Sequence, residues 1–368
     1  MSFLGSLLRA AVCVWLLGAQ PAAGSMAAGR SGELWEAAGP VGAAGPNAHS
    51  AAPGSLTPPA AGRSSPLTFA VLSDIHVQSW DRQAIRKFER ALDDLHGAAP
   101  EAEALVLNGD LGDGDPEDYR TLQRLLSERP HPGEIHFTLG NHEFYRMWHG
   151  ANRQWRPKGF PNGETEAAAI GRFLRFTGQP KVYRERSLHD RLFLFLGSER
   201  YRLSDPSYGE DAFLSEEQLR WLERRLQAEE PSGQPIFVFL HQPLPNTVAG
   251  SGRGRGVVQH RELRDILSRH PRVIVFSGHT HAGLGQSGTV VADRLLSVAG
   301  SSVSRPEYEG PAEASGGADD RSEGLVVRVE QDHVVIRGRD FRQGRWITRT
   351  ECRFERGMWR AAAPDMPK

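Results

Sequence analysis

The sequence predicts an α/β (α+β) fold in which helices cover mixed β-sheets. Three observations predict it. Between Leu67 and His281, apolar runs of strand length alternate with segments of helical spacing, the pattern of sheets flanked by helices. Runs such as LVLNG and IFVFL are continuously apolar, as expected of central strands buried on both faces. Towards the C-terminus helical spacing stops and β-rich segments follow one another, implying further, partly antiparallel strands in a second sheet.

The chain has 368 residues, a formal net charge of -1 and 39% hydrophobic residues. This length allows one large domain or two small ones. The near-neutral balance gives no basic patch for gripping a nucleic-acid backbone. Residues 1–24 read as a secretory signal peptide: Arg9, then the apolar run Ala10 to Ala19, then small residues. That run is too short to span a bilayer, so a stable membrane anchor is not expected, and export is. Residues 25–66 are rich in Ala, Gly, Pro and Ser and read as a disordered linker, because too little apolar surface is present to offset ordering entropy. The domain is expected over 67–355, with a tail over 356–368. Only Cys13 and Cys352 exist. Loss of the signal leaves Cys352 alone and no internal disulfide.

Within the domain, LTFAVLSD (Leu67–Asp74) is a strand, and Asp81–His96 is a helix with apolar residues at Ile85, Phe88, Leu92 and Leu95. ALVLNGD (Ala104–Asp110) is a buried strand, Asp118–Glu128 a helix, and IHFTLGNHE (Ile135–Glu143) a strand running into a loop. Thr165–Phe176 is a helix and Arg191–Ser198 a strand. Ser215 opens a helix with a charged first turn, which fits a capped start. Pro235–Pro243 and Arg272–His281 are strands flanking the helix Gln259–His270. DRLLSVAGSS, GLVVRVE, HVVIRGRD and RWITRTECRF complete the β-rich remainder.

Five short motifs share one placement. Asp74-Ile75-His76, Gly109-Asp110, Gly140-Asn141-His142-Glu143, His241 and Gly278-His279-Thr280-His281 each follow an apolar strand. Sites in open α/β sheets form outside the carboxyl ends of strands. Imidazole and carboxylate donors together suit borderline divalent ions. In Asp-x-His and His-x-His, alternate residues of an extended backbone point the same way and would reach one ion or a pair. Glycines at 109, 140 and 278 suit tight turns where strand becomes loop.

In this order the motifs resemble those of the calcineurin-like metallophosphoesterases, over roughly residues 67 to 300. The resemblance implies a four-layer αββα sandwich with two mixed β-sheets. It implies that Asp74, His76, Asp110 and His281 bind one ion, and that Asp110, Asn141, His241 and His279 bind the other, with Asp110 bridging. It makes His142 the histidine beside the phosphate. The expected cofactors are two metal ions, manganese, iron or zinc, and the expected partner is a small phosphoester substrate. Two such ions, about 3.5–4 Å apart, would supply a hydroxide for in-line attack on phosphorus, and His142 would stabilise charge and protonate the leaving oxygen.

Asp113 stands where purple acid phosphatases carry a tyrosine, and the arginine of the serine/threonine protein phosphatases is missing, since Gly114 follows Asp113. The series is similar to the class III cyclic-nucleotide phosphodiesterases, which favours a phosphodiesterase over a phosphomonoesterase. Non-catalytic relatives lose the phosphate-side histidine, and here His142 is present. Around these motifs, Asp113 and Asp115 read as a solvated turn with a helix cap at Asp115. Glu143 reads equally as an acceptor orienting a ligand and as a loop carboxylate. Tyr145, Trp148, His149 and Trp155 read equally as an aromatic wall and as a loop packing its own rings. Arg253 and Arg255 read as part of a loop. Oligomeric state is not legible.

Overall fold

The computed structural model describes residues 65–252, 254, 256–308 and 320–365. The expected signal peptide, the expected linker up to residue 64, and Arg253 and Arg255 lie outside the described residues. Among those described, no helix is long and apolar enough to cross a membrane.

The elements are β1 (Leu67–Leu72), α1 (Arg82–Ala98), β2 (Ala104–Asn108), α2 (Pro116–Glu128), β3 (Glu134–Thr138), α3 (Glu166–Thr177), β4 (Arg184–Leu188) and β5 (Arg191–Phe195). There follow α4 (Glu216–Glu229), β6 (Ile236–Phe239), α5 (His260–Ser268), β7 (Val273–Ser277), β8 (Val290–Ala292) and β9 (Leu296–Ala299). The last four strands are β10 (Glu323–Glu330), β11 (His333–Asp340), β12 (Arg345–Glu355) and β13 (Met358–Ala361).

Two mixed sheets result, in the orders β13-β12-β11-β10-β1-β2-β3 and β4-β5-β6-β7-β9-β8. In the first, β1, β2 and β3 are parallel and β10 to β13 form an antiparallel meander against β1. In the second, β5, β6, β7 and β9 are parallel, and β4 and β8 pair antiparallel at the edges. The late strands β10–β13 therefore complete the first sheet and do not build the second, contrary to the expectation from their position in the chain. The reason lies in β1. Its second edge is open once β2 has paired, and Leu325, Val327 and Val329 of β10 continue its inward apolar face.

Side-chain period 2 distributes the strands between layers. On β1, Phe69 and Val71 face the other sheet, while Ala70 and Leu72 face helices. Phe193, Phe237, Phe239 and Phe276 of the second sheet surround Phe69, with ring centroids 5.1, 5.2, 6.2 and 5.9 Å away. Outside the first sheet, Phe88 and Leu92 of α1, Leu122 of α2 and Phe173 of α3 close a helical layer. Outside the second, Leu222 of α4 and Leu263 of α5 close another over Leu194 and Val238. The layers are helix, sheet, sheet, helix, as the resemblance implied.

Three strands were not legible: β4, β13 and β8, whose three residues VVA are too few to carry a pattern. β4 reads RERSL, a charged edge joined to β5 by a His189-Asp190 turn with both φ positive, 47° and 59°, the geometry of a tight hairpin. β13 lies beyond residue 355, where a tail was expected. It pairs with β12 and buries Trp359.

Candidate metal centre

Four of the candidate residues stand two positions beyond a strand end: Asp74 after β1, Asp110 after β2, His241 after β6 and His279 after β7. Asn141 follows β3 three positions on. All five ends are carboxyl ends of parallel strands, drawn from both sheets, and they converge. Asp74, His76, Asp110 and His281 bring ligand atoms within 4.8 Å of one another, and so do Asp110, His241 and His279. His142 and Asn141 border the same space: His142 Nε2 is 3.9 Å from Asp110 Oδ2, and Asn141 Oδ1 accepts from His279 Nδ1 at 2.9 Å.

The backbone delivers these groups differently from the extended alternation expected of Asp-x-His and His-x-His. Asp74, His76, Asp110, His279 and His281 have φ of 52°, 44°, 52°, 66° and 53°, the left-handed region that is costly for residues with a Cβ. Neighbouring structure over-determines these turns. His76 N donates to Asp110 O at 3.0 Å, and His279 N donates to Asp74 Oδ2 at 3.0 Å. Ser302 Oγ donates to Asp74 O at 2.9 Å. Gly278 is required by closeness: a Cβ there would collide with Ser73 Oγ and lie 2.5 Å from Asp74 Oδ2.

Glu143 resolves to a structural acceptor. Fully buried, it accepts from Leu111 N at 2.8 Å, Gly140 N at 2.6 Å and Asp110 N at 3.2 Å, tying two motif loops together. Burial and the Asp110 charge push its carboxyl up to about 7. Asp115 caps α2 through Glu117 N. Asp113 does not lie in a solvated turn. It is buried, accepts from His142 Nδ1 at 2.9 Å, and meets His149 Nε2 at 3.4 Å and Gln78 Nε2. The Asp110-x-x-Asp113 spacing was the available signal, but nothing local showed that the turn is covered. Tyr145 stacks on His142 with centroids 3.7 Å apart and tilts against Trp155, which stacks on Trp148. The aromatic loop thus packs its own rings and braces His142. A cleft of about 620 Å³, lined by Asp115, Arg146, His149, Arg153 and Arg156 among others, adjoins this loop.

The electrostatics are those of two buried carboxylates among imidazoles. Burial alone would raise Asp74, yet His281 and His241 hold it at about 2, and Asp110 is held well below the usual range by His241 and His142. Burial would lower His142 and His241, but Asp110 outweighs it, with Asp113 assisting at His142 and Asp74 at His241, lifting them to about 9 and about 10. Burial and neighbouring histidines drop His76 to about 3 and His279 to about 4.

The donor set fits metal ions. Carbonyl oxygens only accept, so His241 Nδ1 donates to Asn108 O at 2.8 Å and His281 Nδ1 donates to Arg305 O at 3.1 Å, which turns each Nε2 towards the centre. His241 Nε2 is buried, 3.2 Å from Asp110 Oδ2, and makes no hydrogen bond. His76 Nε2 and His281 Nε2 face each other at 3.2 Å. Such nitrogens must carry a proton or meet a cation.

The calcineurin-like phosphoesterase family pattern matches residues 67–283, more than half of the chain. The chain belongs to the calcineurin-like phosphoesterase family. This phosphoesterase is similar in structure to a dimetal phosphatase from Danio rerio, with 18% identity over 75% of this chain and 96% of that one and a TM-score of 0.52. It is also similar to a purple acid phosphatase from yellow lupin (Lupinus luteus) seeds, with 14% identity over 77% of this chain and 53% of that one and a TM-score of 0.50. At these identities the likeness is one of fold. A comparison with curated proteins found no match. As a metallophosphoesterase, the protein hydrolyses phosphoesters; the family typically binds two metal ions, and this donor cluster is the candidate to hold them.

Proposed function

We propose that this phosphoesterase cleaves phosphodiesters, with Asp74, His76, Asp110 and His281 holding one metal ion and Asp110, Asn141, His241 and His279 the other. One observation carries the proposal: Asp110 Oδ2 lies 3.2 Å from His241 Nε2 and 3.9 Å from the Nε2 atoms of both His76 and His142. A carboxylate so placed suits a bridge between two cations, with His142 beside them. Manganese, iron and zinc match these nitrogen and oxygen donors. Bound there, such ions acidify water towards neutrality and offset charge on phosphate oxygens.

The chain's own residues supply the rest. His142 N donates to Asp110 Oδ1 at 2.9 Å, which fixes the carboxylate. Asp113 holds His142 Nδ1 and leaves Nε2 directed at the centre. In its protonated form, favoured by Asp110 and Asp113, His142 donates to a non-bridging phosphate oxygen and passes its proton to the leaving oxygen. Preference for a diester is supported by the motif series, which is similar to that of class III cyclic-nucleotide phosphodiesterases, and by Asp113 in place of a tyrosine ligand. Export is proposed on the charge and apolar pattern of residues 1–24, and recovery of the full-length protein only in the cytoplasmic fraction of its host would refute it.

The deciding assay compares bis-p-nitrophenyl phosphate with p-nitrophenyl phosphate in manganese, iron and zinc. Faster turnover of the diester supports the proposal. Turnover of the monoester alone makes the protein a phosphomonoesterase, and turnover of neither with metal bound makes it a non-catalytic scaffold.

A further inference from the structure

We propose that Glu210 is a positioning residue that decides which end of the Asn141 carboxamide faces the metal centre. The proposal rests on the reading of Asn141 as a ligand. The two ends of a carboxamide are alike in shape and opposite in polarity, since the oxygen accepts and the NH2 donates. Only the oxygen can ligate a cation, and a half-turn about the last side-chain torsion would aim two hydrogens at it instead.

Asn141 Oδ1 lies on the side of the centre, 2.9 Å from His279 Nδ1. On the other side, Asn141 Nδ2 donates to Glu210 Oε2 at 3.1 Å and to Tyr145 OH at 3.3 Å. A carboxylate offers acceptors alone. The flipped amide would set Oδ1 against Glu210 and lose a charge-assisted bond. Glu210 thus acts at a distance of one side chain from the centre, across 69 positions of sequence.

Glu210 is itself held. Tyr201 OH lies 3.0 Å from Oε2 and 3.1 Å from Oε1, and Arg202 Nη2 donates to Oε1 at 2.6 Å. Tyr201 is buried, stacks on Phe144 at 4.9 Å with planes 4° apart, and its hydroxyl accepts from Trp148 Nε1 at 3.2 Å. The main-chain oxygen of Glu210 accepts from Gln242 Nε2 at 3.2 Å, next in sequence to His241. Arg202 balances the carboxylate charge, so the support adds direction rather than net charge. The segment 201–210 thereby holds both Asn141 and Gln242, the neighbour of His241.

The test is metal titration of the full chain by calorimetry with manganese(II) and with zinc(II), on wild type, Glu210→Ala and Glu210→Gln. Wild type is expected to bind two ions. Glu210→Ala is expected to bind the first as wild type does and the second about 10- to 100-fold more weakly. In Glu210→Gln the amide oxygen is claimed by Arg202 and its NH2 meets Asn141, so the second ion should weaken equally although shape is retained. The metal-free melting temperature should stay within a few degrees of wild type, which a merely structural residue would not allow. Two ions bound at wild-type affinity by both variants would overturn the proposal. So would equal weakening of both ions together with a lowered metal-free melting temperature. Fewer than two ions on wild type would instead sink the dinuclear reading itself, and this proposal with it.

Discussion

Asp110 and His142 differ in what their loss should do, although both face the same space. Asp110→Ala removes the carboxylate shared by both donor sets and should abolish metal content and turnover together, as read by elemental analysis and kcat. His142→Ala should retain both metals and lose about 10²–10⁴-fold in kcat, the usual contribution of a positioned proton donor. Asp113→Asn tests the support behind it. Asp113 helps raise His142 to about 9, so its neutral replacement lowers that value, and the alkaline limb of the rate profile should move to lower pH. An unmoved limb would separate Asp113 from the chemistry. At this scale the sequence spoke clearly where strand and motif adjoin: Asp74, Asp110, His241 and His279 are each read from an apolar run followed by a polar group. Asp113 and Glu210 were not legible, because burial and partners far along the chain define them. The left-handed backbone at five donors was equally hidden, since nothing in Asp or His announces a positive φ.

Single strands and helices carry their own tests. His136 on β3 packs against Phe195 at 5.1 Å and lies beside Arg184 of β4, and burial with that charge holds it down at about 4. A histidine kept neutral by the fold gives stability that is complete above its ordinary value of 6.5 and fades as pH falls from there towards 4. Urea unfolding at several pH values should show this slope, and His136→Gln should flatten it. Trp359 of β13 is 4% exposed, so Trp359→Ala should cost roughly 3 kcal/mol, seen as a lower urea midpoint. No loss would return residues beyond 355 to the status of a tail. Helices with apolar spacing and capping residues were legible: Asp81, Thr165 and Ser215 each accept from first-turn amides as N-caps. The polar strand β4 was not, because RERSL has no apolar face, and an edge strand buries little.

For the molecule as a whole, the two sheets meet over a phenylalanine core at their centre and over charged groups at their carboxyl ends. Asp74 and Asp110 are 0% and 2% exposed, and a cation that compensates them belongs to the folded state alone. Chelation should therefore lower the melting temperature, by about 2.7 kcal/mol of lost binding where metal had stood at 100 times its Kd, and readdition should restore it. The alternation of strand and helix made the layers legible, while the sheet joined by the last strands was not, because pairing partners are chosen by open edges and matching faces instead of order in the chain. His76 and His281, whose ring nitrogens meet, are 205 residues apart. A chain leaving the ribosome has no complete ligand pocket until its last donor loop is made and the two sheets have docked. Metal capture is thereby tied to the docking of the two sheets, and belongs to the end of folding and not to its start.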